Sequence, residues 1–299
     1  MVDTILVPLD GTDFAEHALA HAVALAREAD AEVALVTVEV PPPMAFPDVN
    51  FLEPLSEAEL RYLHRVGERV RAAGVDVSTK VLTGNVPEAL ERYRQDVGAG
   101  LTVMSTHGRG PLARAWLGSV ADHFVRSTTA PVLMVRPTEG AEPAPLDVTP
   151  TIGHVAITLD GSELSESAVG PGVDVADLFG AELTLVRVVE YPHGTESVYI
   201  PDATEARREQ LEQSREAAHA ELSRVAGDLA AEGREVRRES RVVHHAASGI
   251  LEMADELDVD LLVMATRGRG RLGRLVLGSV VDKVLRGTDR PVLIVPARA

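Results

Sequence analysis

Short apolar runs alternate with amphipathic segments along the 299-residue chain, and the whole alternation occurs twice. The apolar runs of the first half are residues 4–9, 33–38, 101–104 and 131–135, and a further strand is predicted near 75–82. Runs of this length predict buried strands, and the intervening segments, with apolar residues three and four positions apart, predict helices. Strands that alternate with helices predict an α/β fold in which helices cover both faces of a parallel sheet.

The second half repeats the motifs of the first half in the same order. The segment VPLDGT at 7–12 is matched by ITLDGS at 157–162, and PVLMV at 131–135 is matched by PVLIV at 291–295. A repeat of this length is far longer than the roughly 20–50 residues of solenoid repeats, so it predicts two tandem domains. The additional residues of the second repeat are predicted to lie in a long charged helix at 205–232.

The domains are predicted to span 1–137 and 152–299. Residues 138–151 are rich in Pro, Ala, Glu and Thr and lack periodic apolar positions, which predicts a linker. Within the first domain, Thr12 or Asp13 is predicted to cap one helix that continues through Leu25. The capping-box pattern of residues 56–59 predicts the start of the next helix.

Each half also carries a glycine-bearing loop between a predicted strand and a predicted helix. The loops begin STHGRG at 105–110 and ATRGRG at 265–270. In each copy nine residues separate the first glycine from a Gly-Ser-Val sequence, at 118–120 and 278–280. Backbone N–H groups and the dipole at a helix N-terminus together bind phosphate, so the pattern is typical of an anion site. Taken alone, the glycines are also compatible with a simple strand-to-helix turn.

Composition narrows the classes of function. A formal net charge of −17 disfavours nucleic-acid binding, which depends on Lys and Arg, and with no cysteine there is no disulfide, thiolate metal site or cysteine nucleophile. No apolar run approaches the roughly 20 residues of a membrane span, so we expect a soluble, cytoplasmic protein. The only lysines are Lys80 and Lys283. An acidic, lysine-poor chain fits either a GC-rich genome or a saline cytoplasm.

Together, the VPLDGT segment, the Gly-x9-Gly-Ser-Val loop and the closing PVLMV strand resemble the universal stress protein family, here as a tandem two-domain member of its ATP-binding branch. The resemblance implies two flavodoxin-like, Rossmann-like open parallel sheets of strand order 3-2-1-4-5, as in the adenine nucleotide alpha hydrolase-like fold. Ligands of such sheets bind at the carboxyl ends of the strands where the order reverses, here between the first and fourth strands.

The resemblance also implies roles for individual residues. In each half a carboxylate would bind the ribose, two aliphatic side chains would pack near the adenine, and the loop with the following Gly-Ser-Val would hold the phosphates. In the first half these residues are Asp10, Val38, Met104, Ser105, Gly108, Gly118, Ser119 and Val120. In the second half they are Asp160, Val188, Met264, Ala265, Gly268, Gly278, Ser279 and Val280. Ser105 and Ala265 stand where the family pattern has a leading glycine.

The cofactor that these roles imply is ATP, with or without Mg²⁺. Loop arginines at positions 109, 267 and 269 are compatible with phosphate contacts and equally with a plain surface. The loop is not a Walker A sequence, and neither a nucleophile elbow nor a zincin motif is present, so we expect no dedicated enzyme activity and no metal site.

Two interpretations of function remain. In the first, the protein binds an adenine nucleotide, and ordering of the loops at 109–117 and 269–277 signals occupancy to a protein partner. In the second, it is a nucleotide-free assembly module. In either case the resemblance implies that the fifth strands pair antiparallel across the two domains, and a further homodimer is compatible with the sequence.

Overall fold

The computed structural model describes residues 2–40, 52–106, 118–137, 142–191, 201–269 and 275–296. The first half contains β1 (Thr4–Pro8), α1 (Asp13–Glu16), α2 (Leu19–Ala29), β2 (Glu32–Glu39), α3 (Leu52–Ala72), β3 (Val77–Thr83), α4 (Val86–Asp96), β4 (Leu101–Ser105), α5 (Ser119–Ser127) and β5 (Val132–Val135). The second half contains β6 (His154–Leu159), α6 (Glu163–Glu166), α7 (Val169–Phe179), β7 (Glu182–Glu190), α8 (Pro201–Ala231), β8 (Arg237–Val243), α9 (Ala246–Glu256), β9 (Leu261–Arg269), β10 (Leu275–Val276), α10 (Ser279–Gly287) and β11 (Val292–Pro296).

The sheet topology confirms the predicted α/β fold. The strand order is β3-β2-β1-β4-β5 in the first half and β11-β9-β6-β7-β8 in the second, so each half has the order 3-2-1-4-5. All pairings along these two paths are parallel. The order reverses beside β1 and beside β6, which places a crevice at the carboxyl end of each of these strands.

One antiparallel pairing joins the two halves into a continuous sheet. In it Leu293 of β11 lies opposite Leu133 of β5. The residues between the halves also pack on the first half, since Leu146 is buried and its carbonyl oxygen accepts a hydrogen bond of 3.1 Å from Nη2 of Arg27.

Two apolar layers form the core, one on each face of the sheet. One layer packs α2, α3, α7 and α8 on residues such as Ile5, Leu35 and Ile157. The other packs α4, α5, α9 and α10 on residues such as Met104 and Met264. Because strand side chains alternate between faces, neighbouring strand residues contribute to different layers, and burial on both faces explains the continuous apolar runs of the sequence.

In the first half, two helix boundaries differ from prediction, and in the second half the long helix predicted at 205–232 is α8, which begins at Pro201. The helix predicted to start at 56–59 begins at Leu52, so its capping-box pattern is an internal stretch of α3 and the predicted start is wrong. Pro54 lies in the first turn of α3, where proline is tolerated because its missing N–H has no intrahelical partner. Thr12 does cap a helix, but that helix is the single turn α1, and the chain restarts as α2 at Leu19.

None of the described helices combines the length and the apolar character that a membrane span requires.

Candidate functional site

A cavity of about 460 Å³ opens at the carboxyl ends of β6, β7 and β9 in the second half. Seven of the eight second-half residues predicted for the site line it. They are Asp160, Val188, Met264, Ala265, Gly278, Ser279 and Val280. The turn after β6, the ends of β7 and β9, and the start of α10 therefore converge on one space.

Gly268 is the eighth predicted residue of the second half, and it lies within β9 rather than in an open loop. β9 continues past the edge of the sheet and forms a hairpin with β10, in which Arg267 lies opposite Val276 and Arg269 opposite Leu275. This hairpin was not predicted, because its second strand is only two residues long.

Asp160 is held in a tight turn at the polar end of the cavity. Its Oδ1 accepts hydrogen bonds from the backbone N–H of Ser162, at 3.0 Å, and from the Ser162 hydroxyl. Gly161 between them has φ of +85°, a conformation that favours glycine. Burial acts to raise the pKa of Asp160, but the Ser162 hydrogen bonds and the Arg187 charge outweigh it and hold the pKa below its usual value. Asp160 is therefore an ionised acceptor at neutral pH.

The first half repeats this turn around Asp10. Oδ1 of Asp10 accepts from the backbone N–H of Thr12 at 3.0 Å and also from the Thr12 hydroxyl. Gly11 has φ of +78°. The Asp-Gly-Thr and Asp-Gly-Ser sequences thus build the same local structure, in which the hydroxyl residue also caps the following helix.

A helix N-terminus also contributes to the lining of the second-half cavity. Ser279, the first residue of α10, is exposed and follows Gly278, whose φ of +47° favours glycine. Unpaired N–H groups and the helix dipole make this end attractive to an anion. In the first half, Gly118 precedes Ser119 and α5 in the same way, with φ of −54°. Any residue could adopt this backbone conformation at position 118.

Aliphatic side chains line the remaining wall. Met264 is buried, and Val188 and Val280 are half-buried against the same apolar layer. In the first half, Met104 and Val38 pack on this layer too, so the two predicted adenine-side pairs lie at equivalent places. A flat apolar ring would bury its faces against such a wall.

Ser105 and Ala265 replace the leading glycines without backbone strain. Each lies in its parallel strand, Ser105 opposite Val135 and Ala265 opposite Val295. Among the described residues other than glycine, positive φ occurs only at Asp30 and Asp258. Val120 is exposed at the start of α5. Gly108, Arg109 and most of the first-half loop lie outside the described residues.

An ion pair at the second cavity was not predicted. Arg187 lines the cavity, and its Nε lies 3.3 Å from Oε2 of Glu221 on α8. Oε1 of Glu221 accepts a hydrogen bond of 3.0 Å from the backbone N–H of Gly161. Burial raises the pKa of Glu221, against the lowering effect of Arg187. The one available signal was an arginine within the apolar run of β7, since its partner comes from a distant helix.

Two adjacent histidines, at 244 and 245, lie between β8 and α9. Both are exposed and both follow the end of β8, with His245 at the N-cap of α9 and the ring of His244 stacked on Tyr191 at 4.7 Å between centroids. Over the described ranges, no three His, Asp or Glu residues group as a metal site would require.

Comparison with known proteins gives a consistent result. The family model for the universal stress protein family matches residues 1–136 and 151–296. A universal stress protein of Methanocaldococcus jannaschii is 34% identical over 137 residues, which are 44% of this chain and 81% of that protein. One from Mycobacterium tuberculosis is 29% identical over 264 residues, 85% of this chain and 81% of that protein. The crystal structure of a universal stress protein from Archaeoglobus fulgidus has the same fold, with a TM-score of 0.76 and 18% identity over 100% of both chains.

Proposed function

The chain belongs to the universal stress protein family, and on that premise we propose that it is a stress-response regulatory protein that binds ATP or another adenine nucleotide. The second-half cavity is the principal site, and the equivalent positions of the first half form the other. The observation that carries the proposal is that one cavity joins an aliphatic wall, an ionised carboxylate and a helix N-terminus.

The three parts of the cavity match the three parts of a nucleotide. The wall of Val188, Met264 and Val280 is suited to the adenine ring. Asp160 accepts hydrogen bonds, as ribose hydroxyls require of a partner. Ser279 and the first turn of α10 offer a hydroxyl, N–H groups and the positive end of a helix dipole to the phosphates. A Mg²⁺ ion would enter with the phosphates, since this ion typically keeps several waters and few protein ligands.

We propose that nucleotide occupancy acts as a signal rather than as the start of a dedicated reaction. The groups that line the cavity bind and orient, and a carboxylate held by two donors from Ser162 is a poor general base because its pKa is lowered. Phosphate binding would set the position of the β9–β10 hairpin, whose first strand contains the cavity residues Met264 and Ala265, and so change the surface that the protein offers. A protein partner would then recognise that surface.

The competing function is a nucleotide-free assembly module. The pairing of β5 with β11, which merges both halves into one sheet, favours a role in assembly. Under this interpretation Ser105 and Ala265 would mark pockets that no longer bind a ligand, and a homodimer would be the functional unit.

Identification of a co-purified ligand tests the two functions against each other. The protein is purified without added nucleotide and denatured, and released small molecules are identified by mass spectrometry. ATP titration calorimetry on the emptied protein follows. Recovered ATP or ADP together with saturable ATP binding supports the nucleotide-binding function. A protein that is empty and takes up no ATP at millimolar concentration supports the assembly module instead.

A further inference from the structure

We propose that Arg187 makes the second cavity specific for the ribose of its ligand, so that this cavity distinguishes ribonucleotides from their deoxy analogues and the first site does not. The inference rests on the proposed function, because it concerns how the same nucleotide is recognised. It assigns a specificity-determining role to a residue that lies outside the repeated Asp-Gly and Gly-Ser-Val motifs.

Arg187 is fixed beside the carboxylate that would bind the ribose. It lies opposite Leu159 in the pairing of β7 with β6, one residue before Asp160. Its guanidinium also packs on Gly161, where an added Cβ would lie only 2.7 Å from Nη2. The side chain is 18% exposed and contributes to the cavity lining. A cation therefore stands next to the acceptor oxygens of Asp160.

Glu221 holds the Arg187 guanidinium in place and leaves some of the guanidinium N–H donors unused. The Nε to Oε2 separation of 3.3 Å is an ion-pair contact, and neither buried atom has a hydrogen-bond partner among the described residues. A guanidinium carries five N–H donors in a rigid fork, so one carboxylate leaves donors for a ligand oxygen. Glu221 is itself anchored by the backbone N–H of Gly161.

A ribose hydroxyl satisfies both kinds of group at once. The hydroxyl hydrogen can be donated to Asp160 while the hydroxyl oxygen accepts a hydrogen bond from Arg187. A carboxylate alone could make only the first of these two interactions. Loss of the hydroxyl removes this hydrogen-bond partner from both charged groups, and a site whose polar groups are placed to bind a hydroxyl disfavours the deoxy analogue. A phosphate on the ribose is disfavoured as well, because the carboxylates of Asp160, Glu221 and Glu166 interact at this end of the cavity.

The first half has a neutral pair at the equivalent positions. In the pairing of the first two strands, Thr4 lies opposite Glu32 in the first half and His154 lies opposite Glu182 in the second. Equivalent residues of the two halves therefore differ in number by 154 − 4 = 182 − 32 = 150. This shift places Thr37 where the second half has Arg187. Thr37 is buried.

The counterpart of Glu221 follows from the buried faces of α3 and α8. Leu63 and Val66 match Leu222 and Val225, a shift of 222 − 63 = 225 − 66 = 159, so Tyr62 stands for Glu221. The Tyr62 hydroxyl donates a hydrogen bond of 3.1 Å to Glu16. The ribose end of the first site thus lacks the arginine–glutamate pair of the second.

The test uses proteins with one working site each. Ser119→Asp silences the first site and Ser279→Asp the second, and each protein is titrated with ATP, 2′-deoxy-ATP and 3′-deoxy-ATP by calorimetry. With the second site alone, we expect at least one deoxy analogue to bind about tenfold more weakly than ATP or worse. Arg187→Thr, which installs the first-half residue, should bring that ratio within about threefold, as should the first site alone.

Two further variants keep the result interpretable. Arg187→Thr with Glu221→Tyr installs the complete first-half pair and avoids a buried unpaired carboxylate, so it serves if the single variant is unstable. Arg241→Thr removes an arginine of the neighbouring strand that pairs with Glu256, and it should leave the ratio unchanged. ATP binding with the same deoxy discrimination in the Arg187 variants would overturn this inference and leave the proposed function standing. Absence of ATP binding to the unmodified protein would overturn both.

Discussion

A negative charge placed at the start of α10 should abolish tight nucleotide binding at the second site. Ser279 is exposed and is the first residue of the helix, so Ser279→Asp brings a carboxylate to the place where the phosphates would bind. The fold should tolerate it, since acidic side chains near a helix N-terminus stabilise by about 0.3–1 kcal/mol and Asp282 already lies in that turn. Ser119→Asp is the matched change in α5.

The size of the effect follows from Coulomb's law. Two unit charges about 5 Å apart interact by about 3 kcal/mol at an effective dielectric constant of about 20. Loss of the serine hydroxyl as a donor to an anion adds about 1.5–3 kcal/mol, whereas salt screening at this exposed position removes part of the total. A net loss of about 3 kcal/mol of binding free energy raises the ATP dissociation constant roughly 100-fold.

Calorimetry with two ligands separates this effect from a general disruption. ATP should bind with one site fewer in Ser279→Asp, whereas adenosine, which carries no phosphate, should bind both proteins alike. Ser279→Asn is the uncharged control of nearly the same shape and should lose far less affinity for ATP than the aspartate variant. Equal losses in the asparagine and aspartate variants, or an unchanged ATP isotherm, would refute the assignment of this helix N-terminus as the phosphate site.

Three further predictions concern stability. Burial lowers the pKa of His21 to about 4, so the unfolded chain takes up its proton first as pH falls below 6.5. Between pH 7 and pH 5, the unmodified protein should therefore lose about 2 kcal/mol more of its free energy of unfolding than His21→Leu does, as measured by urea unfolding at each pH. An equal loss in the two proteins would contradict this prediction. Gly172→Ala should cost about 1–3 kcal/mol, because its Cβ would lie 2.6 Å from Ile157, whereas Gly227→Ala within α8 has free space and should stabilise by about 0.5–1 kcal/mol. Arg136→Ala should cost about 1–2 kcal/mol in thermal unfolding, because its Nη1 donates at 2.9 Å and 3.2 Å to two carbonyl oxygens at the C-terminal end of α10 in the other half; no loss would show that this contact is dispensable.

The fold could be predicted from the sequence because its signals are local and occur twice. Apolar runs marked the buried strands, and the repeated Asp-Gly and Gly-Ser-Val segments marked the two strand-to-helix turns. The predicted start of α3 was wrong because a capping-box pattern such as that at 56–59 is equally acceptable inside a helix. No local signal excluded a start at Leu52.

The residues of the candidate site likewise fall into those that the sequence predicted and those that it did not. Asp160, Gly278 and Ser279 belong to motifs that can be recognised one segment at a time, and the sheet order then brings them together. Arg187 and Glu221 meet only because α8 packs across β7, and no repeated motif contains either residue. Features that depend on packing between distant segments, and that differ between the halves, are those that the sequence pattern could not supply.

The continuous sheet also limits how a second copy of the chain could associate. Pairing of β5 with β11 uses the inner edge of each half and leaves β3 and β8 as the outer strands. β8 carries Arg237, Arg238, Glu239 and Arg241, and its first four residues are exposed. Charged side chains along an edge strand oppose the addition of another strand. β3 has Lys80 as its one charged residue. If a homodimer forms by strand addition, β3 is therefore the favoured edge. Val81→Lys, which adds a second charge to β3, should then shift sedimentation toward the monomer, while Val242→Lys on β8 should not.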